Sequence, residues 1–175
     1  MYKPVDFFTL YGNLVPLNIY APPEEIDTSL IKRSREEDTV GNKIMHIYNT
    51  SPESWNIPNN ISYHKPTYIC MNEGSFFLPH RDKFAPGKMN TDIRMLCFTN
   101  NTHPHDYTYV VDNKITHFEA GRWYATNTNL VHYGFCFKDN TIHYACDLRL
   151  TDEQTCNWLV SQVEYCDRSL GTARK

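Results

Sequence analysis

The sequence is short of charge imbalance, glycine and long apolar runs. Its 17 Lys and Arg stand against 20 Asp and Glu, a net charge of −3. The two signs are interspersed, so no basic stripe marks a nucleic-acid binder. No apolar run approaches the length of a bilayer span, which removes a membrane partner from the expectation. The six cysteines (Cys70, Cys97, Cys136, Cys146, Cys156 and Cys166) form no C-x-x-C pair. They lie inside apolar segments, as the reduced, buried thiols of a cytoplasmic protein do. The start, Met1-Tyr2-Lys3-Pro4-Val5-Asp6, reads as no secretory signal, because Asp6 and Pro16 interrupt any apolar stretch. There is no internal repeat and no low-complexity tract. Only 7 Gly accompany 12 Tyr, 9 Phe and 3 Trp. Aromatic residues favour strands, so the composition leans toward β.

A chain of 175 residues is long enough for one domain with its own core. Residues 1–65 read as a helical or irregular extension. Short aromatic runs such as Phe7–Tyr11 are broken by Gly12, Pro16, Pro22 and Pro23, as in edge or irregular structure. A helix is expected after Pro22-Pro23, with Glu24 and Glu25 in its first turn and Ile26, Leu30 and Ile31 as its apolar stripe. Arg33–Asp38 reads as a solvated charge run, and 50–66, rich in Asn, Pro and Ser, as loop. From Pro66 to Leu150 the pattern changes. Thr67–Met71, Ser75–His80, Ile93–Thr99, Tyr107–Val111, Ile115–Phe118, Arg122–Thr126, Val131–Phe137 and Thr141–Leu150 read as strands. Eight short strands divided by turn signals predict a sandwich or barrel. A helix follows over 151–166, with Thr151 and Gln154 as a capping box and Trp158, Leu159 and Val163 on one face.

The chemistry concentrates in Phe76-Phe77-Leu78-Pro79-His80-Arg81-Asp82. On an extended backbone side chains i and i+2 share a face, so His80 and Asp82 can hold one metal. His132 supplies a third ligand. Two histidines and a carboxylate with open positions form the facial triad suited to non-haem Fe(II). Asp139-Asn140 reads as a two-residue hairpin turn joining the last two strands. In that register His132 faces Asp147, Gly134 faces Ala145, and Cys136 faces His143. These six make a small polar face, read as a pocket wall with His132 pointing into it. Val131, Tyr133, Phe135, Phe137, Ile142, Tyr144, Cys146 and Leu148 make a bulky face, read as packed. The competing reading of His132 is a hydrogen-bonded core histidine. Arg94 stands in a strand that is apolar on both faces, where a charge is costly without an anion. Its partner is either internal, Asp147 or Asp82, or a carboxylate ligand gripped by the guanidinium fork. His103-Pro104-His105-Asp106 is dense in ligand types but reads as surface loop. Tyr63 and His64 are placed to border a substrate mouth.

Together these pieces resemble the Fe(II)/2-oxoglutarate-dependent oxygenases, particularly the aspartyl/asparaginyl β-hydroxylase-like branch. The resemblance covers roughly 66–152. It rests on Glu73–Asp82, with its glycine turn and Pro-His-x-Asp, on Asp92–Leu96 with its arginine, and on Ala120–Asn127 followed by Val131-His132. It implies a mainly β fold, a double-stranded β-helix (a cupin-like jelly roll) over 66–150, flanked by N- and C-terminal helices. It implies Fe(II) on His80, Asp82 and His132, and 2-oxoglutarate held by Arg94, with His143 and Tyr68 as further cofactor-binding residues. The family's late arginine or lysine is replaced here by Ile142 and His143. Arg149 lies too far along to serve, and His143 would assist Arg94 as a donor, with one hydrogen bond when neutral and with added charge when protonated. The implied activity is hydroxylation of an amino-acid side chain or small molecule, with a small-molecule co-substrate and a peptide or small-molecule substrate as partners. Two other readings stay open. One is a jelly-roll binding or structural module without catalysis, and the other is a metal-binding cupin that uses no 2-oxoglutarate.

Overall fold

The computed structural model describes residues 4–21, 33–39, 43–49, 55–82, 92–99, 103, 105–139 and 141–171. Its elements run α1 (Pro4–Tyr11), β1 (Leu14–Tyr20), β2 (Arg33–Thr39), β3 (Lys43–Asn49), β4 (Tyr63–Met71), β5 (Phe76–His80), β6 (Asp92–Phe98), β7 (Tyr107–Val111), β8 (Lys114–Thr116), β9 (Arg122–Thr126), β10 (His132–Cys136), β11 (Thr141–Arg149) and α2 (Glu153–Gly171). All eight strands expected between 66 and 150 are present as β4–β11. They divide between two antiparallel sheets, ordered β1-β9-β6-β11-β4-β3-β2 and β5-β10-β7-β8. From β4 onward the chain crosses between the sheets, with only β7 and β8 consecutive in one sheet. That is the alternation of a double-stranded β-helix.

Strand parity sorts side chains into two cores. Ile69, Met71, Leu96, Phe98, Tyr107, Tyr109, Tyr124, Cys136 and Ala145 come from both sheets and fill the barrel between them. Tyr68, Cys70, Met95, Cys97, Trp123, Tyr144 and Leu148 alternate with these and face the other way. They pack with Phe7 and Phe8 of α1 and Leu159 and Val163 of α2 on the outer face of the larger sheet. β11 is covered on both faces, and Thr141–Leu148 are all buried. Cys70, Cys97, Cys136, Cys146 and Cys156 are free and buried. Burial raises their thiol pKa values, that of Cys97 to about 12.

Several expectations are corrected. The N-terminal region is not simply helical or irregular, because β1 forms one edge of the larger sheet and β2 and β3 form the other. The charge run Arg33–Asp38 lies within β2, where its backbone pairs with β3. Dense charge on an edge strand discourages further pairing, so a strand can carry it. The helix expected after Pro23 lies outside the described residues. At α2 the cap is Asp152 rather than Thr151. The Asp152 carboxylate accepts from the Thr155 N–H at 2.7 Å and from its hydroxyl at 3.0 Å. Trp158, Leu159 and Val163 share the buried face, as expected.

The largest correction concerns the last two strands. β10 pairs with β5 and β7, whereas β11 pairs with β4 and β6. The link between them joins two sheets rather than closing a hairpin. Lys138 O accepts from both the Cys136 thiol and the Thr141 hydroxyl, each at 3.0 Å. The single polar face expected of a hairpin therefore does not form, and what remains is the parity within each strand: His132, Gly134 and Cys136 of β10 and His143, Ala145 and Asp147 of β11 are all buried. The bulky side chains of β10 turn outward, leaving Phe135 and Phe137 exposed. Gly134 leaves room for the Tyr107 side chain of β7, the neighbouring strand in the same sheet. A Cβ there would lie 2.0 Å from the Tyr107 hydroxyl.

Candidate metal centre

His80, Asp82 and His132 converge at one end of the barrel. Their ligand atoms lie within 4.8 Å of one another, the one such group among the described residues. Residues 80 and 132 are directly paired on β5 and β10. The register between these strands slips, because Gly134 pairs with Phe77 while His132 pairs with His80. This bulge at Leu78-Pro79 lets Phe77 enter the core and still brings His80 beside the buried His132. Asp82 follows the strand, and its N–H donates to Thr128 O at 3.0 Å. That bond ties the Asp82 loop to the turn before His132.

Both imidazoles are held in the same way. His80 Nδ1 lies 2.7 Å from Leu78 O, and His132 Nδ1 lies 3.0 Å from Leu130 O. With Nδ1–H donating to a carbonyl two residues back, each Nε2 keeps its lone pair. The two Nε2 atoms lie 3.8 and 3.9 Å from the same Asp82 Oδ1. Burial lowers the His132 pKa despite the opposing Leu130 hydrogen bond and Asp82 charge. A neutral imidazole is the form a metal requires. His132 is 8% exposed, Asp82 29% and His80 44%, so the donor set is anchored on one side and open on the other. Two oriented imidazoles and one carboxylate fit a divalent first-row metal with positions to spare.

Arg94 lies at the same end of the barrel. It is directly opposite Asp147 on β11 and Thr126 on β9. Its Nε and Nη2 donate to the two oxygens of Asp147. Burial acts to lower the guanidinium pKa, and the Asp147 charge and hydrogen bond outweigh it and raise the pKa. Asp147, one of the internal partners expected for Arg94, is thus in contact with it. His64 continues the network, with Nε2 3.2 Å from Asp92 and 3.8 Å from Asp147. Arg149 Nε donates to His64 Nδ1 at 3.1 Å. Tyr109 and Thr126 were not anticipated. Their hydroxyls are 3.3 Å apart, and the Tyr109 ring is 6.0 Å from that of His132. The inward alternation Tyr107, Tyr109, Val111 was the available signal.

Two expected cofactor-binding residues lie elsewhere. Tyr68 belongs to the outer core, 5.8 Å from the Tyr144 ring. Its strand neighbours Ile69 and Thr67 have the opposite parity. His143 faces the barrel interior but at the other end, 4.7 Å from Phe98 and 6.2 Å from Tyr107. Asp147 lies four positions further along β11, roughly 13 Å of extended chain. Burial pushes the His143 pKa down to about 3, with the Arg94 charge acting the same way. The imidazole therefore stays neutral, so the added charge expected of a protonated His143 beside Arg94 is not supplied. His103 and His105 are exposed, as a surface loop requires.

No protein-family model matches the chain, and no curated protein matches it in sequence. Solved structures do. A prolyl-4-hydroxylase from Pseudomonas putida superposes with a TM-score of 0.55 at 12% identity, covering 85% of this chain and 97% of that one. The likeness is one of fold, a barrel of two antiparallel sheets. A cupin 2 conserved barrel domain protein from Rhodopseudomonas palustris matches with a TM-score of 0.41 at 10% identity, over 80% of this chain and 72% of that one. A ribosomal oxygenase from Escherichia coli matches at 0.43 and 9% identity over 89% of this chain, which spans 46% of that protein. Among the described residues no helix is long and apolar enough to cross a membrane.

Proposed function

We propose that this barrel is an Fe(II)- and 2-oxoglutarate-dependent dioxygenase that hydroxylates an amino-acid side chain or a small molecule. The convergence of His80, Asp82 and His132 carries the reading. The shared fold of a prolyl-4-hydroxylase supports it. Bound ferrous iron would supply oxygen activation. The chain's own work is to hold and to exclude. The Leu78 and Leu130 carbonyls fix both imidazole tautomers, and the Thr128 carbonyl anchors the Asp82 backbone. Phe98, Tyr107 and Phe118 close the far end of the barrel against water, with ring centroids 4.4 Å apart from Phe98 to each of the others. Exposed His80 leaves an approach from solvent for a co-substrate.

One observation favours a second reading, a metal-binding cupin that takes no 2-oxoglutarate. One side of the Arg94 guanidinium, Nε and Nη2, is already paired with Asp147. Protein reconstituted anaerobically with Fe(II) would be given O₂ and 2-oxoglutarate, and O₂ uptake and succinate followed. Succinate formation that disappears in Asp82→Ala is the expected result. Metal binding without any succinate would favour the second reading.

A further inference from the structure

Arg94 and Asp147 are charges of opposite sign, face to face on adjacent strands beside the metal ligands. The pair is neutral as a unit, so it presents no net attraction to an incoming anion. A carboxylate fixed in register also competes at an effective concentration far above that of a free ligand. We propose that Asp147 is a built-in counter-carboxylate that governs whether a free dicarboxylate can reach Arg94, and so sets the co-substrate selectivity of the site. This inference rests on reading the triad as a metal centre with an anionic co-substrate beside it.

Three features make the exchange feasible. The first is shape. Asp147 takes the Nε and Nη2 side of the guanidinium with both oxygens, an arrangement a ligand carboxylate would adopt. The second is access. The Arg94 side chain is 29% exposed and that of Asp147 10%, so displacement needs side-chain movement rather than an opened barrel. The third is an alternative resting place, since His64 Nε2 is already 3.8 Å from Asp147 Oδ2. The position also suits a ligand shared with the metal. Thr126 flanks Arg94 on the side away from Asp147, and through the Tyr109 hydroxyl it leads back to His132.

Asp147→Asn keeps the side-chain shape and removes the competing charge. Titration with 2-oxoglutarate in a calorimeter, with and without Mn(II), is expected to show affinity at least about tenfold higher in the variant than in the parent, given the strength of charge-assisted bidentate pairing. The double variant Arg94→Met/Asp147→Leu should show no such gain. Equal or weaker binding in Asp147→Asn would overturn the proposal, as would a gain that survives in the double variant. The single variant leaves a half-buried guanidinium short of its counter-ion and loses stability. Thermal unfolding is therefore measured alongside, in excess 2-oxoglutarate and in sodium chloride of equal ionic strength. The variant should gain more from 2-oxoglutarate than the parent does, and an equal gain overturns the proposal. Mn(II) binding to the parent is read separately. Its absence would remove the metal reading, while the metal-free titrations would still decide the role of Asp147.

Discussion

The two ends of the barrel each hold a buried histidine, and the two are built for opposite purposes. At the open end His132 has its Nδ1 bound to a backbone carbonyl, its Nε2 aimed at Asp82, and a second imidazole 4.3 Å away between ring centroids. At the closed end His143 stands among Phe98, Tyr107 and their neighbours, and its buried Nδ1 has no hydrogen-bond partner. An oriented nitrogen facing a carboxylate is a ligand waiting for a cation. An unsatisfied nitrogen in an aromatic shell is a packing group that bears a desolvation cost. The same residue type on inward positions of two strands thus divides into site and plug by its neighbours alone.

The sharpest test of this division removes each histidine in turn. His132→Ala should weaken Mn(II) binding by more than about a hundredfold, beyond the 10–100-fold typical of losing only an outer partner of a metal ligand. His143→Phe, at the closed end, should leave Mn(II) affinity unchanged. Calorimetric titration measures both. A comparable loss in the two variants would mean that the ends are not separate.

The reverse asymmetry should appear in stability. The folded-state pKa of His143 is about 3, below the roughly 6.5 of an unfolded histidine. The unfolded chain therefore binds the extra proton first. The contribution is complete above about pH 6.5 and is lost as pH falls toward the folded value. Between pH 7.5 and 5 the loss from this group alone is about 2 kcal/mol, at about 1.4 kcal/mol per pH unit below 6.5. Urea unfolding at the two pH values should show a smaller decline in His143→Phe than in the parent. Parallel declines would show that the plug histidine is not held neutral.

The contrast also explains what the sequence made visible. Alternation told which side chains of one strand go together, His132, Gly134 and Cys136 on β10 and His143, Ala145 and Asp147 on β11, but the single hairpin face expected of the six does not form because the two strands never pair. It did not tell which sheet a strand joins. Asp112-Asn113 and Asp139-Asn140 have the same composition. The first pair adopts φ of 51° and 59° and closes a true hairpin between β7 and β8. The second falls between β10 and β11, which join different sheets. Nothing local distinguishes them, because the difference is set by what β11 meets, namely β4 and β6. Tyr68 was misplaced for a related reason. Both faces of β4 are buried, so parity separates Tyr68 from Ile69 without saying which one looks into the barrel. His-x-Asp was legible, but the bulge that turns His80 toward His132 was not, since it depends on the register with β10.

The finest test concerns Tyr109, which lines the open end without being placed to bind metal. Burial raises its phenol pKa well above the usual value, while the Thr126 hydrogen bond works against that rise. The hydroxyl therefore stays protonated and pairs with Thr126 Oγ1 inside the barrel. Tyr109→Phe keeps the ring beside His132 and removes only this bond. The expected cost is about 1 kcal/mol of unfolding free energy, the net worth of a single internal hydrogen bond. Neither His80, Asp82 nor His132 has a hydrogen bond to this hydroxyl among those described, so Mn(II) affinity should change by less than about tenfold, the lower limit for loss of a direct partner of a ligand. Denaturant unfolding and metal titration on the same variant separate the two effects. A larger fall in metal affinity would mean that the Tyr109–Thr126 wall orients His132 as firmly as the Leu130 carbonyl does, and the open end would then extend from the triad through Tyr109 to Arg94 as one coupled unit.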